Sequence, residues 1–354
     1  MGETMSSLRK IIAGAALACL AVQAGAVEVN GAGSSAAKPL YAAWGQAYAA
    51  STKDVVNYDP IGSSAGLKKM REHGVDFGAT DVALSRDEGA RDNLICFPTS
   101  VSGVVPFVNI PGIKAGKLNL SGPVLAAIFM GKIKNWNDRD IAALNPGRDL
   151  PSLPIRPVVR QDGSGTTYNF SDYLSRVSPD WKARFGTNLQ ITWPGDALPA
   201  QGSDGVIKTV LATTGAISYA DYSYILLQQL NYVKMQNRQG TLVEPSYAGF
   251  TAALSNSDWK TQAKFEEMLN DKPGNESWPI TAGTFVLLPK VTNTPEKTTA
   301  VLKFFNWSFQ HGDDIARKNG YVRLNDSLQA RIFAELTQIT DAKGNKLQWG
   351  TLGN

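Results

Sequence analysis

Residues 160–170 read RQDGSGTTYNF: one guanidinium, one carboxylate, two glycines and three small hydroxyls ahead of Tyr168 and Phe170. A guanidinium offers a planar fork of donors suited to an oxyanion. A glycine-rich turn leading into a helix exposes unpaired amide donors and the positive end of the helix dipole. Together they suit a site that holds an anion by many hydrogen bonds rather than by net charge. Arg160 is the cation, and Asp162 orients and partly neutralises it; an ordinary surface Arg–Asp pair is the plainer alternative. Two further segments share the design of small residues before a helix start, GAGSSAAKP at 31–39 and GSSAG at 62–66. A fourth, VDFGATD, delivers Asp81 at the carboxyl end of a strand, the edge where ligands bind in open α/β sheets. Any one turn is explained equally well by Ser or Thr capping a helix; three in one chain suggest convergence on one anion.

Other chemistries fit poorly. Neither GAGSSAAKP nor DGSGTTYNF matches the phosphate loop of nucleotide-binding proteins, and VNGAGSSA resembles a dinucleotide fingerprint only loosely. His73 and His311 are the only histidines, and Cys96 is the one thiol outside the N-terminal segment, so no metal or other cofactor is expected. Cys96 lies in the apolar run LICFP and reads as a small buried hydrophobe. GSSAG formally fits a hydrolase elbow, with Ser64 as nucleophile and His311 downstream. However, His311 sits in FQHGDD, a polar loop or helix end, and two lysines closely follow the serine. A net charge of +4 with no polybasic run argues against nucleic acid.

The elements that must position these residues alternate. The 354-residue chain allows one large or two medium domains, with 43% hydrophobic and 19% charged residues. Arg9 and Lys10 precede an apolar stretch over 11–22, too short to span a bilayer, and AGA at 24–26 predicts cleavage after Ala26. Lipidation at Cys19 is disfavoured because Ala16 stands where a lipoprotein signal usually has leucine. Beyond this segment the pattern predicts α/β architecture. Strands are expected over 27–29, 55–58, 75–79 and 155–159, and turns over 31–38, 62–66 and 162–166. Helix faces follow at Leu40, Trp44 and Tyr48, at Leu67 and Met70, and at Phe170, Tyr173, Leu174 and Val177, with Pro39 in a first helical turn.

These segments, with VVPFVNIPGIKAG, LAAIFMGKIKNWND, GAISYADYSY, WPITAGTFVLL and VLKFFNW, carry a resemblance. Over roughly residues 27–345 the chain resembles the periplasmic phosphate-binding proteins of bacterial high-affinity phosphate ABC transporters, the PstS type. The resemblance implies the type II periplasmic-binding-protein fold, two α/β lobes with the ligand in the cleft between them. The crossings fall near 99–107 and 279–285, giving a discontinuous first lobe (27–102 plus 280–354) and a second lobe (103–279). It implies phosphate binding by Ser35, Ala36, Ser63 and Asp81 from the first lobe and by Arg160, Ser164, Gly165 and Thr166 from the second, with Asp162 supporting Arg160. SSAAKP stands where the family commonly has ATFPAP, so Ser35 keeps a threonine's hydroxyl and Ala36 would contribute its backbone N–H. Asp81 would accept the proton that phosphate carries and sulfate lacks, favouring phosphate. The expected partner is an inner-membrane permease with its cytoplasmic ATPase, reading lobe closure by a monomer in the periplasm without covalent chemistry. A secreted phosphate scavenger or an adhesin on this scaffold would show the same site.

Overall fold

A computed structural model describes residues 26–260 and 265–350. The export segment expected over 1–26, with Cys19, lies outside the described residues except for Ala26. No helix among the described residues is long and apolar enough to cross a membrane.

Eight strands form one sheet: β1 (Glu28–Gly33), β2 (Val55–Asp59), β3 (Phe77–Thr80), β4 (Leu94–Asn109), β5 (Arg156–Arg160), β6 (Leu198–Ala200), β7 (Ala216–Asp221) and β8 (Thr281–Pro289). Their spatial order is β2-β1-β3-β8-β4-β7-β5-β6. β1 pairs in parallel with both β2 and β3, and β5 with both β6 and β7. Between these parallel groups runs β4, antiparallel to β8 from Leu94 to Gly103 and to β7 from Val104 to Asn109. β4 is buried along most of its length and reads LICFPTSVSGVVPFVN, a nearly continuous run of apolar and small hydroxyl residues, as a strand covered on both faces requires.

The expected helix faces pack onto this sheet. Helix α1 (Lys38–Thr52) buries Leu40, Tyr41, Trp44 and Tyr48, and carries its proline in the first turn. Tyr41 and Tyr48 meet Phe305 and Phe304 edge-on, with ring centroids 5.5 and 5.4 Å apart; both phenylalanines come from a helix at Pro295–His311. In the other half Phe170 stacks on Tyr219 at 4.0 Å and meets Phe129 at 4.8 Å. Such aromatic pairs contribute about 0.5–1.5 kcal/mol each beyond area burial.

The element boundaries differ from expectation at the small-residue turns. β1 continues to Gly33 before a short 3-10 turn, Ser35–Ala37. Of residues 62–66, read as a turn, only Gly62 lies outside helix α2 (Ser63–Arg71), as its N-cap; the rest form the helix's first turn. Gly66 misled that reading. It is helical, and glycine stands there because a Cβ would come 2.5 Å from Gly33 Cα. Close approach to β1, not turn formation, selects the residue.

Candidate anion-binding site

Four strand ends converge. β1 leads into Ser34 and the 3-10 turn, β2 into α2 at Ser63, β3 into Asp81, and β5 into helix α3 (Gly165–Val177). Ser35, Ala36, Ser63, Asp81, Arg160, Ser164 and Thr166 are all buried.

Arg160 is 3% exposed. Its Nε donates to Asp162 Oδ1 at 2.7 Å, and one Nη donates to Oδ2. Gly202 N–H also donates to Asp162 Oδ1, at 3.0 Å. Burial pushes the Asp162 carboxyl up, but the Arg160 hydrogen bonds and charge, with the Gly202 N–H, outweigh it and hold the group below the usual carboxylate range. A guanidinium has five N–H donors, so the fork to Asp162 leaves others for an anion.

The hydroxyls are set by what they accept. Ser63 Oγ accepts from Asp81 N–H at 3.3 Å and Gly165 N–H at 3.1 Å, which leaves its own proton to donate. Ser164 caps α3 by accepting from Thr167 N–H at 3.1 Å, again leaving its proton free. Thr166 Oγ1 is buried without a hydrogen-bond partner among the described residues. Ser35 Oγ shares a hydrogen bond with Ser203 Oγ at 2.8 Å. The N–H of Ala36, expected to serve the anion, instead donates to Ser34 Oγ at 3.1 Å. The N–H of Gly165 is likewise directed to Ser63 rather than to open space.

Asp81 is 3% exposed. Burial raises its carboxyl above the usual range; hydrogen bonds from Ser34 and Thr284, the Arg160 charge and the Thr166 hydroxyl nearby pull it part of the way back. Ser34 Oγ donates to Oδ2 at 2.6 Å and Thr284 Oγ1 to Oδ1 at 3.0 Å. Neither residue was expected from the sequence. Ser34 lies within a loop already singled out. Thr284 is 203 positions away on β8, beside a register shift in the β4–β8 pairing, the kind of irregularity that re-aims a side chain.

The two groups of loops touch directly. Ser64 N–H donates to Gly163 O at 3.1 Å, Asn169 Nδ2 to Asp81 O at 2.8 Å, and Tyr224 OH to Ser35 O at 2.9 Å. Lys38 Nζ meets Asp204 Oδ2 at 2.6 Å near the surface. Ser64 is thus engaged through its backbone, while His311 is the exposed last residue of its helix, tilted against Trp307 at 5.6 Å. Cys96 is half-buried, and burial pushes its thiol up to about 12, unlike a reactive cysteine. No cluster of three or more metal-ligating side chains occurs among the described residues.

Relatives match over most of this chain and most of their own length. A family model described as a PBP superfamily domain matches residues 21–311. Phosphate-binding protein PstS of Xylella fastidiosa (strain Temecula1) is 41% identical over 314 residues, 89% of this chain and 86% of that protein. Phosphate-binding protein PstS of Haemophilus influenzae is 42% identical over 295 residues, 83% of this chain and 88% of that protein. In shape the chain is similar to the phosphate-binding protein of Stenotrophomonas maltophilia, with a TM-score of 0.65 at 22% identity over 87% of this chain and 94% of that one. The fold is the two-lobe α/β architecture of type II periplasmic binding proteins, and the chain belongs to the PstS family of phosphate-binding proteins.

Proposed function

We propose that this protein binds inorganic phosphate in the cleft and delivers it to an inner-membrane ABC importer, a permease with its cytoplasmic ATPase. One observation carries the reading: a buried carboxylate, Asp81, lies where the charge of a buried arginine and the buried Thr166 hydroxyl both act on it. An anion site with a built-in acceptor suits an oxyanion that carries a proton. In this reading Ser35, Ser63 and Asp81 belong to one lobe (27–102 plus 280–354), and Arg160, Ser164, Gly165 and Thr166 to the other (103–279). Ala36 contributes through the shape of its loop, since Ser34 takes its N–H. Phosphate bridges the lobes and favours closure, because only the closed form makes all the contacts. The protein works as a monomer, exported by its cleavable N-terminal segment to the periplasm, and no bond is made or broken. Calorimetric titration of the mature, phosphate-stripped protein tests this. Strong heat with phosphate and none with sulfate is expected; no phosphate heat, or equal binding of both, would overturn it.

Closure makes a separate prediction. A Cβ on Gly165 would come 2.5 Å from Ser63 Oγ and 2.7 Å from Asp81 Cβ. The position is the first of a helix, where alanine is otherwise welcome. In this reading, with Ser63 and Asp81 on the opposite lobe, the clash belongs to the closed form. Overpacking costs about 1–3 kcal/mol, so Gly165→Ala should weaken phosphate by roughly 5- to 150-fold. The melting temperature of the ligand-free protein should stay where it is. Unchanged affinity would mean that Ser63 and Gly165 do not meet in the bound form.

A further inference from the structure

Ser34 follows β1 at the start of the first anion loop, and its surroundings fix what its hydroxyl does. The residue is 1% exposed. Its backbone is pinned on both sides: its N–H donates to Ala79 O at 2.8 Å, and its carbonyl accepts from Tyr58 OH at 2.7 Å. Its Oγ accepts from Ala36 N–H at 3.1 Å, so its single proton is free to go to Asp81 Oδ2, 2.6 Å away. That length is typical of a hydroxyl on an ionised carboxylate. Thr284 occupies the other carboxylate oxygen in the same sense. With both hydroxyl protons pointed at it, Asp81 fits this arrangement as an ionised acceptor; a protonated carboxyl would accept the second of them more weakly.

We propose that Ser34 is a specificity-determining positioning residue: its hydroxyl holds Asp81 as a proton acceptor, and the preference for a protonated over an unprotonated oxyanion depends on it. The proposal rests on the phosphate reading above. Without the hydroxyl, Asp81 would take up a proton more readily. It could then donate to sulfate as easily as it accepts from phosphate, and the discrimination would fade from the acid side. The hydrogen bond from Ser34 is the foremost influence opposing the rise that burial imposes on Asp81.

Other groups face Asp81. Arg160 from β5 favours its ionised form. The phenols of Tyr41, Tyr58 and Tyr321 are pushed far up by burial and stay neutral. Asp221, at the end of β7, is the one that shares the relevant pH range, since burial pushes it to about 7. The test therefore uses Ser34→Ala alone and in an Asp221→Asn background. Phosphate and sulfate affinities are measured by calorimetry from pH 5 to 8, and thermal melts confirm folding. In both backgrounds the pH below which sulfate begins to compete should move up by about one unit. Phosphate-over-sulfate selectivity at mildly acid pH should fall about tenfold, the scale of one hydrogen bond to a charged group. A uniform loss of both affinities with no shift of the profile would overturn the proposal, leaving Ser34 as a cap for Ala36. An unchanged profile would also overturn it. If the wild type gave no phosphate heat, the phosphate reading itself would fall and this proposal with it.

Discussion

Arg160→Met is expected to remove most of the phosphate affinity and to destabilise the protein, through two separable effects. The first is loss of the guanidinium donors that the fork to Asp162 leaves over. The second is the stranding of Asp162, whose side chain is buried and whose charge is balanced chiefly by Arg160, with help from the Gly202 N–H. Breaking a buried ion pair by removing one partner costs about 3–5 kcal/mol. A comparable loss in binding would raise the phosphate Kd by roughly 150- to 5,000-fold. The remaining carboxylate would add repulsion at an anion site. Calorimetry and thermal unfolding separate the effects when Arg160→Met is compared with Arg160→Met combined with Asp162→Asn. The double variant should recover much of the stability but little of the affinity. The pH dependence of stability should change too. Asp162 is held below the usual carboxylate range, so in the wild type it contributes stability above that range, lost as pH falls through its lowered value. The single variant should lack that acid-side loss. If it bound phosphate normally, Arg160 would serve only Asp162, and the cation of the site would have to be sought elsewhere.

How much of this was legible in the sequence depends on how local the determinant is. Arg160 and Asp162 are two residues apart and meet as their spacing suggests. The buried faces at Leu40, Trp44 and Tyr48 and at Phe170, Tyr173 and Leu174 follow from helical periodicity, with Val177 only partly covered. Asp81 was recognisable as the residue delivered at the carboxyl end of a strand. What local pattern could not show is who meets Asp81. Thr284 arrives from the far end of the chain through a register shift, and Asn169 binds the Asp81 carbonyl from a helix 88 residues away. Nor could composition reveal that Ser34 would claim the Ala36 N–H. That follows from the conformation of a loop whose residues, SSAA, are compatible with several turns. The glycines were misleading in one respect. Gly66 and Gly165 are needed less for turning the chain than for letting a helix approach a neighbouring loop or strand.

Asp81→Asn should reverse the selectivity logic while leaving the protein folded. In the wild type the carboxylate is acceptor-only, and an oxyanion without a proton would face it with a lost hydrogen bond and a desolvated repulsion. Sites built to pair a substrate's hydroxyl reject analogues lacking it by about 10⁴-fold or more. An amide can donate through Nδ2 or accept through Oδ1, so it meets either anion. Phosphate should weaken by about tenfold, the scale of one hydrogen bond to a charged group, while sulfate becomes measurable and the selectivity falls to roughly tenfold. Stability should move the other way. Burial raises the Asp81 carboxyl above the usual range, so the folded form holds that proton more tightly than the unfolded chain. Ligand-free stability therefore declines as pH rises from the ordinary carboxylate value through the raised one. The neutral amide carries no such penalty. Ligand-free Asp81→Asn should then melt higher than the wild type near neutral pH, with the gap closing toward acid. Calorimetry with both anions and melts across pH decide the matter. Persistent exclusion of sulfate by the variant would place selectivity in the hydroxyl and guanidinium donors rather than in the acceptor. Sulfate binding without the stability gain would mean that Ser34 and Thr284 already satisfy the ionised carboxylate before any anion arrives.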